Sequence, residues 1–243
     1  MDGPEAHASG DPRGAGRPGP TDSPDIVEVL RRVDRALPFT TVTSTASAAT
    51  IWCGDVLAHA RAGADPLAPW REALREQMSR RHGVPVAPHV PAAFVLQWWC
   101  EVAAAPVAHA AALGPWVLVP EASGLGFELA PGLNPQRIVV DPARTTVGVD
   151  PDAHRRAERA RAVYSDLVHD VVAAFAPEVR MGSRQRWGVV DDTWATASHL
   201  AAGAAGHATG PQPRRVSCCF IYALPGMREC AGCPRSGSPA VRG

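Results

Sequence analysis

The sequence predicts an α+β protein with a mainly helical body, a short strand meander and a C-terminal cysteine-rich segment. Three observations lead to this fold class. Apolar residues recur at three- and four-residue spacing in several long stretches, which is typical of amphipathic helices. Short β-branched runs separated by Pro, Gly and Asn fill residues 116–150, which indicates strands. Four of the six cysteines lie within 16 residues near the end of the chain, which indicates a metal-binding segment.

Length and composition limit the function classes. A chain of 243 residues suggests one large domain, or one domain with a small module. The 24 cationic and 24 acidic side chains cancel, which argues against a sequence-independent nucleic-acid binder. We expect no membrane span, because no run of 18 apolar residues is free of polar interruption. The start lacks the apolar core of a secretory signal, so the six cysteines suggest a reducing compartment.

Changes in residue composition along the chain predict five parts. Residues 1–24 are rich in Gly and Pro and nearly free of large apolar residues. Burial of apolar surface therefore cannot offset the conformational entropy that this part would lose on ordering. The parts are a disordered tail at 1–24, an α+β body at 25–202, a Gly/Ala/Pro linker at 203–213, the cysteine segment at 214–236 and a tail at 237–243.

The first predicted helix starts at Ser23-Pro24-Asp25. Ser23 can cap it, Pro24 suits its first turn and Asp25 suits its positive end. The next predicted helix runs from Asp65-Pro66 to His82 and stops at Gly83. A third, from about Pro91 to Leu113, is apolar on most sides. We interpret it as a buried core helix rather than a membrane span, with Pro106 as a candidate break.

The second half of the body is predicted to hold strands and then two helices. Residues 39–50 carry no firm prediction. The β-branched runs are Trp116–Val119, Phe127–Leu129, Arg137–Val140 and Thr145–Val149. A long helix follows at about 152–175. A last helix covers 189–202 and ends at Gly203, and Asp191-Asp192 are expected to begin or cap it.

The informative segment carries Cys218, Cys219, Cys230 and Cys233, spaced C-C-x10-C-x2-C. Four nearby thiolates can satisfy either tetrahedral zinc or an iron–sulfur cluster. Structural zinc usually takes two chelating pairs, and only the second pair has the usual spacing. Adjacent cysteines in an extended chain point to opposite sides, so they more readily serve a two-iron centre than converge on one zinc.

The residues between the cysteines suit a folded-back loop. Pro225-Gly226 is typical of a tight turn, which would return the second pair to the first. Gly232 keeps the last loop small. An apolar stretch would limit solvent access to the centre and help set its reduction potential. It consists of Phe220, Ile221, Tyr222 and Leu224.

This motif resembles the C-terminal 2Fe–2S segment of the FhuF-like ferric-siderophore reductase family. The resemblance covers about 20 residues: Cys218-Cys219, the stretch 220–224, Pro225-Gly226, Cys230 and Cys233-Pro234. Upstream, Arg186-Trp187-Gly188 is similar to a Trp-Gly stretch of the family, although Val189 stands where the family usually has Asn.

The resemblance implies a 2Fe–2S cofactor with Cys218, Cys219, Cys230 and Cys233 as its ligands. It also implies one-electron reduction of Fe(III) bound to a siderophore, typically of hydroxamate type. The expected location is the cytoplasm, with a peripheral position at the inner face of the cell membrane left open. Because the sequence shows no good nicotinamide or flavin fingerprint, we expect an external electron donor. The rival interpretations are a non-enzymatic iron–sulfur sensor and a zinc-knuckle binding protein.

The remaining Arg, Cys, Trp and His residues are interpreted as surface or core residues rather than as parts of a site. Arg214, Arg215, Arg228 and Arg235 flank the cysteines and could tune the centre, but a solvated surface is the expected role. Cys53 and Cys100 are expected in the core. Trp98-Trp99 is expected to pack rather than to line a siderophore pocket. The nine histidines show no paired metal-ligand spacing, so we expect each to be satisfied or exposed.

Overall fold

The computed structural model describes residues 24–207, 209–230 and 232–235. The predicted tails at 1–24 and 237–243 therefore lie almost entirely outside the described residues. Six α-helices and six strands make up the described part, which confirms the mainly helical α+β fold class. The helices are α1 (Ile26–Ala36), α2 (Cys53–Arg61), α3 (Ala68–His82), α4 (His89–Leu113), α5 (Ala153–Ala174) and α6 (Ser183–Ala204). The strands are β1 (Thr41–Thr43), β2 (Ile51–Trp52), β3 (Trp116–Pro120), β4 (Leu125–Leu129), β5 (Pro135–Val140) and β6 (Thr145–Val149).

Helix α4 forms the centre of the core. It packs along α6 and α5 and also contacts α1, α3 and β3. Its length and composition would allow it to cross a membrane, but 72% of its most apolar window is buried inside the protein, as expected of a core helix. Pro106 lies inside an unbroken helix, so the candidate break there is wrong. The buried packing around Pro106 compensates for the one backbone hydrogen bond that proline removes.

The four strands predicted between residues 116 and 150 are all present, and they divide between two sheets. The larger sheet has the order β1-β5-β4-β2, with β1 parallel to β5 and the other pairs antiparallel. The smaller sheet pairs β3 with β6, from Trp116 opposite Val149 to Pro120 opposite Thr145. Strands β1 and β2 and helix α2 lie in regions for which no element was predicted, and the two short strands extend the larger sheet on either side.

Helix ends follow the local chemistry. Gly83 ends α3 with a φ of 69°, as predicted. Asp152 caps α5, where its side chain accepts a hydrogen bond from Arg155 N at 3.0 Å. The cap of α1 is Asp25, which accepts from Val27 N at 2.9 Å. The predicted cap, Ser23, lies outside the described residues.

Helix α6 differs most from its prediction. It starts at Ser183 rather than Val189 and runs through Gly203, which lies inside the helix instead of ending it. Asp191 and Asp192 therefore lie in the middle of α6, and the prediction that they begin or cap it is wrong. A glycine alone does not stop a helix, since its cost of about 1 kcal/mol is small beside the packing of a buried face.

The plain interpretations of the body cysteines and tryptophans are confirmed. Cys53 and Cys100 are both buried, and burial raises the pKa of the Cys100 thiol to about 12. Trp98 stacks on Trp70 with their ring centroids 6.1 Å apart, and Trp99 is buried. Both tryptophans contribute to packing of the core.

Candidate metal centre

The cysteine segment is fixed to the body by a buried carboxylate on α6. Val216 N donates to Asp192 Oδ1 at 2.9 Å, and Ser217 N donates to Asp192 Oδ2 at 2.8 Å. The Ser217 hydroxyl donates to the same Oδ2, and Arg215 Nε lies 3.6 Å from it. Asp192 and Ser217 are both buried, so these bonds form away from water. Charge-assisted bonds of this kind are about twice as strong as neutral ones.

Gln185 provides a second anchor about two turns nearer the start of α6. Its Nε2 donates to Cys218 O at 2.7 Å, and Cys218 N donates to its Oε1 at 3.2 Å. The side-chain amide thus pairs with the backbone of Cys218 in both directions. This contact holds the first cysteine of the motif at a defined position on α6.

Gly188 allows the segment to approach the helix closely. A Cβ atom built there would lie 3.2 Å from Val216 Cγ2 and 3.4 Å from Ser217 Cβ. The Trp187-Gly188 stretch noted in the sequence therefore has a structural reason, which is room for the chain just before the cysteines. Gln185, Gly188 and Asp192 share one helix face at intervals of three and four residues. Polar residues such as Arg184 and Asp191 also lie on other faces of α6, so no local pattern in the sequence distinguishes these anchors.

A tight turn returns the second cysteine pair to the first. Met227 N donates to Leu224 O at 3.1 Å, and Gly226 adopts a φ of 74° after Pro225. Pro followed by Gly is the order that type II turns prefer. The Sγ atoms of Cys219 and Cys230 consequently lie 3.3 Å apart, as the predicted fold-back requires.

Gly232 shapes the last loop. Its φ is 73°, and a Cβ there would lie 3.0 Å from Pro213 O. Its carbonyl accepts a hydrogen bond from Arg215 N at 2.9 Å, which ties the end of the segment to its beginning. Only glycine adopts this backbone conformation readily in so little space.

The four thiols share one electrostatic neighbourhood. Cys219 and Cys233 are buried, and Cys218 and Cys230 are half-buried. Burial raises the pKa of the Cys230 thiol to about 12, and the adjacent Cys219 thiol adds to this rise. Burial also raises the pKa of the Cys218 thiol, with further contributions from Cys219 and Cys233. Thiolates crowded in this way repel one another, and a bound metal centre relieves that repulsion.

Two arginines oppose the negative charge of the thiolates. Arg215 acts to lower the pKa of Cys230, and Arg235 acts to lower that of Cys218. Arg215 is largely buried in its ion pair with Asp192, so the expectation of a solvated surface is wrong for this residue. Arg215 is buried because it pairs with Asp192, the residue that fixes the cysteine segment to α6. Arg214, Arg228 and Arg235 are exposed, as expected. The Arg235 guanidinium lies 4.5 Å from the centroid of the Tyr222 ring.

The apolar stretch after Cys219 packs in part against the body. Leu224 is buried and packs with Val86 and Val90 of the body. Phe220 lies in the left-handed region with a φ of 58°, and its N–H donates to Cys218 Sγ at 3.4 Å. A phenylalanine rarely adopts this conformation, so the surrounding contacts must hold it there. Hydrogen bonds to ligand sulfurs stabilise negative charge and raise the potential of an iron–sulfur centre.

The donor set fits a 2Fe–2S group. Among residues 24–207, 209–230 and 232–235, no three Cys, His, Asp or Glu side chains converge on one ion position. The thiols instead form one close pair, Cys219 and Cys230, with Cys218 and Cys233 in electrostatic range of it. A two-iron core divides four thiolates between two metals, whereas structural zinc needs all four around one point.

Comparison with known families agrees with this chemistry. Residues 215–235 match the family described as the FhuF 2Fe-2S C-terminal domain. The cysteine segment is thus similar to a FhuF-type 2Fe–2S domain, and residues 215–235 form the FhuF-type segment of this chain. The match includes all four cysteines and the Pro225-Gly226 turn, so the predicted 2Fe–2S cofactor is confirmed for the FhuF-type segment. No curated protein sequence matches the chain.

Proposed function

We propose that this protein is a ferric-siderophore reductase and that Cys218, Cys219, Cys230 and Cys233 are the ligands of its 2Fe–2S group. One observation supports the proposal above all. The FhuF-type segment carries four thiols, with the Sγ atoms of Cys219 and Cys230 3.3 Å apart, and it is fixed to a helical body through the buried Asp192 anchor. Such fixed attachment suits electron transfer, which requires a donor and an acceptor held at a defined separation.

The chemistry of the substrate matches a one-electron carrier. When bound, the 2Fe–2S group supplies transfer of single electrons. Hard anionic siderophore oxygens hold Fe(III) far better than Fe(II), so one electron is enough to loosen the metal. The balance is one electron from an external donor and one ferric ion reduced to ferrous, with the siderophore chemically unchanged. The protein needs no acid, base or nucleophile for this reaction.

The burial of the thiols supports transfer to a docked substrate. Cys218 and Cys230 are half-buried, while Cys219 and Cys233 lie deeper. The exposed side of the segment therefore offers the shorter path for an electron. Val216 and Met227 are large apolar side chains that remain exposed in the same segment, at 67% and 45%. Exposed apolar groups of this kind are available for contact with a ligand or partner.

The source of the electron and the cellular location of the reaction are also part of the proposal. Because the sequence carries no good nicotinamide or flavin fingerprint, the electron comes from another protein or a soluble reductant. The exposed cations Arg228 and Arg235 would suit an acidic donor or an anionic siderophore complex. We place the reaction in the cytoplasm, where free thiols persist, with the inner membrane face as an alternative position.

A reoxidation experiment tests the proposal. The protein is reduced without air, freed of excess dithionite and mixed with a ferric hydroxamate siderophore in a stopped-flow spectrometer. We expect the oxidised absorption to return within seconds, with one Fe(II) released per 2Fe–2S group. The same siderophore loaded with gallium, which cannot accept the electron, is the matched control. No reaction with any of several ferric siderophores would contradict the proposal and favour a sensor.

A further inference from the structure

A cavity lies inside the body, between the loop after α1 and the facing sides of α4 and α6. Its volume is about 150 Å³. The walls are mainly apolar, and they include Val102, Ala105, Ile138 and Ala197. Apolar cavities of roughly this size are large enough to admit a single aromatic ring.

His109 brings an unsatisfied acceptor to this cavity. It lines the cavity and is only 1% exposed, and the prediction that each histidine is satisfied or exposed is wrong for this residue. Its Nδ1 lies 2.8 Å from Ala105 O. A carbonyl can only accept, so Nδ1 carries the proton and Nε2 holds a lone pair. That buried Nε2 has no hydrogen-bond partner.

Buried polar groups without partners are uncommon and costly. We therefore expect a ligand to donate a hydrogen bond to Nε2. Burial lowers the pKa of His109, which keeps the ring neutral. The other ionisable group of the wall is Glu101, to which Gln97 Nε2 donates at 2.7 Å. Burial raises the pKa of this carboxyl. None of the described residues lining the cavity is an arginine, so an anionic ligand would find no cationic partner there.

The rim of the cavity is apolar and open to solvent. Phe39 lines it and is 86% exposed, an unusual degree for a phenylalanine. Leu200, on the same rim, is 41% exposed. Exposed apolar side chains around a concave site are typical of a ligand entrance, and the Phe39 ring offers a stacking surface.

We propose that this cavity binds a neutral single-ring phenol whose hydroxyl donates to His109 Nε2 and whose ring fills the apolar space behind Phe39. The site is separate from the four cysteines and does not depend on the proposed reductase activity. The unpartnered acceptor selects for a hydroxyl, the apolar walls select for a ring, and the missing counter-ion excludes anions.

Calorimetric titration of the full-length protein tests the proposal with three probes of similar size. Phenol carries the hydroxyl, toluene replaces it with a methyl group, and benzoate carries a negative charge. We expect phenol to bind about five- to tenfold more tightly than toluene, because toluene leaves Nε2 without a partner. Benzoate should bind at least tenfold more weakly than phenol. Equal affinities for phenol and toluene, or no binding of phenol at millimolar concentration, would overturn the proposal.

Two variants assign the preference to the named residues. His109→Leu removes the acceptor, so the preference for phenol over toluene should disappear while a ring still binds. Ala105→Leu fills part of the cavity while the imidazole is retained, and it should weaken both probes by about tenfold. If His109→Leu fails to fold, Ala105→Leu still decides the matter, since unchanged phenol affinity in that variant contradicts binding in this cavity.

Discussion

Ser217 is bound to Asp192 through both its backbone N–H and its hydroxyl, and the two residues lie on different sides of the junction between the FhuF-type segment and the body. Ser217 is fully buried immediately before Cys218. Asp192 therefore fixes the chain at the point where the cysteines begin. The junction is a specific, buried hydrogen-bonded contact rather than a flexible linker. Its disruption should affect both the stability of the protein and the retention of the cofactor.

Asp192→Asn should destabilise the protein by about 2–3 kcal/mol, because it removes a buried charge that serves three donors and leaves Arg215 without its partner. Urea unfolding gives the stability, and iron content after desalting gives the retention. Asp191→Asn is the matched control. Asp191 is the preceding residue of the helix, but it is exposed, and its ion pair with Arg161 lies at the surface. Equal effects of the two substitutions would show that the buried anchor has no special role.

Two glycines of α6 should respond oppositely to the same substitution. Gly188→Leu places a large side chain against Val216 and Ser217, so we expect a loss of about 2 kcal/mol and weaker docking of the segment. Gly203→Leu is the control, since Gly203 is exposed and a Cβ there meets only Thr209 Cγ2 at 4.0 Å. This second change should be neutral or slightly stabilising, as leucine favours helices more than glycine does. Hydrogen exchange across residues 214–235 reports the docking directly, and similar protection in both variants would contradict the close-approach role of Gly188.

Arg235 should raise the reduction potential of the centre. Its positive charge acts on Cys218, and reduction adds one negative charge to an already anionic group. Arg235→Gln is expected to lower the midpoint potential by about 20–60 mV, where about 59 mV corresponds to a tenfold change in a one-electron equilibrium. The matched change Arg228→Gln, in the exposed turn region, should have a smaller effect. A potentiometric titration followed by absorption measures both, and the difference should shrink at high salt.

Asp150 should make stability depend on pH in the acid range. Hydrogen bonds from Arg155, at 2.7 Å to each carboxylate oxygen, lower its pKa to about 2. Its pKa in the unfolded chain is about 3.9, so the folded state favours the ionised form. The stabilisation is present above about pH 4 and is lost as the pH falls toward 2.

The comparison of wild type with Asp150→Asn isolates this contribution. We expect the difference in unfolding free energy to stay constant from pH 7 to 5 and to shrink between pH 4 and 2. Urea unfolding followed by circular dichroism provides the measurement. Loss of the cofactor in acid affects both proteins alike and cancels in the difference. A difference independent of pH down to 2 would show that Asp150 does not titrate as the Arg155 contact requires.

Much of this fold follows from local patterns. The apolar spacing of α3 and α5, the stop signal of α3 at Gly83 and the β-branched runs of β3 to β6 predicted those elements, since each pattern depends on neighbours along the chain. Helix α2 and strands β1 and β2 were missed because they are short. The division of strands between two sheets depends on long-range pairing, such as Thr41 with Arg137, which no local pattern specifies.

The residues of the site also fall into those that local sequence patterns identify and those that they do not. Cys218, Cys219, Cys230, Cys233 and the Pro225-Gly226 turn could be identified from spacing, because they lie close together in the sequence. The anchors Gln185 and Asp192 could not, since they meet the segment only after α6 has folded against it. The unsatisfied nitrogen of His109 was also beyond the sequence, because satisfaction of a buried group is a property of its three-dimensional surroundings.

The most direct test of the central claim is electron paramagnetic resonance of the dithionite-reduced protein, with iron and acid-labile sulfide counted on the same sample. The account predicts about two irons and two sulfides per chain, one unpaired spin per chain in the reduced state, and loss of both in Cys230→Ser. A colourless protein that contains zinc alone and gives no signal would contradict it.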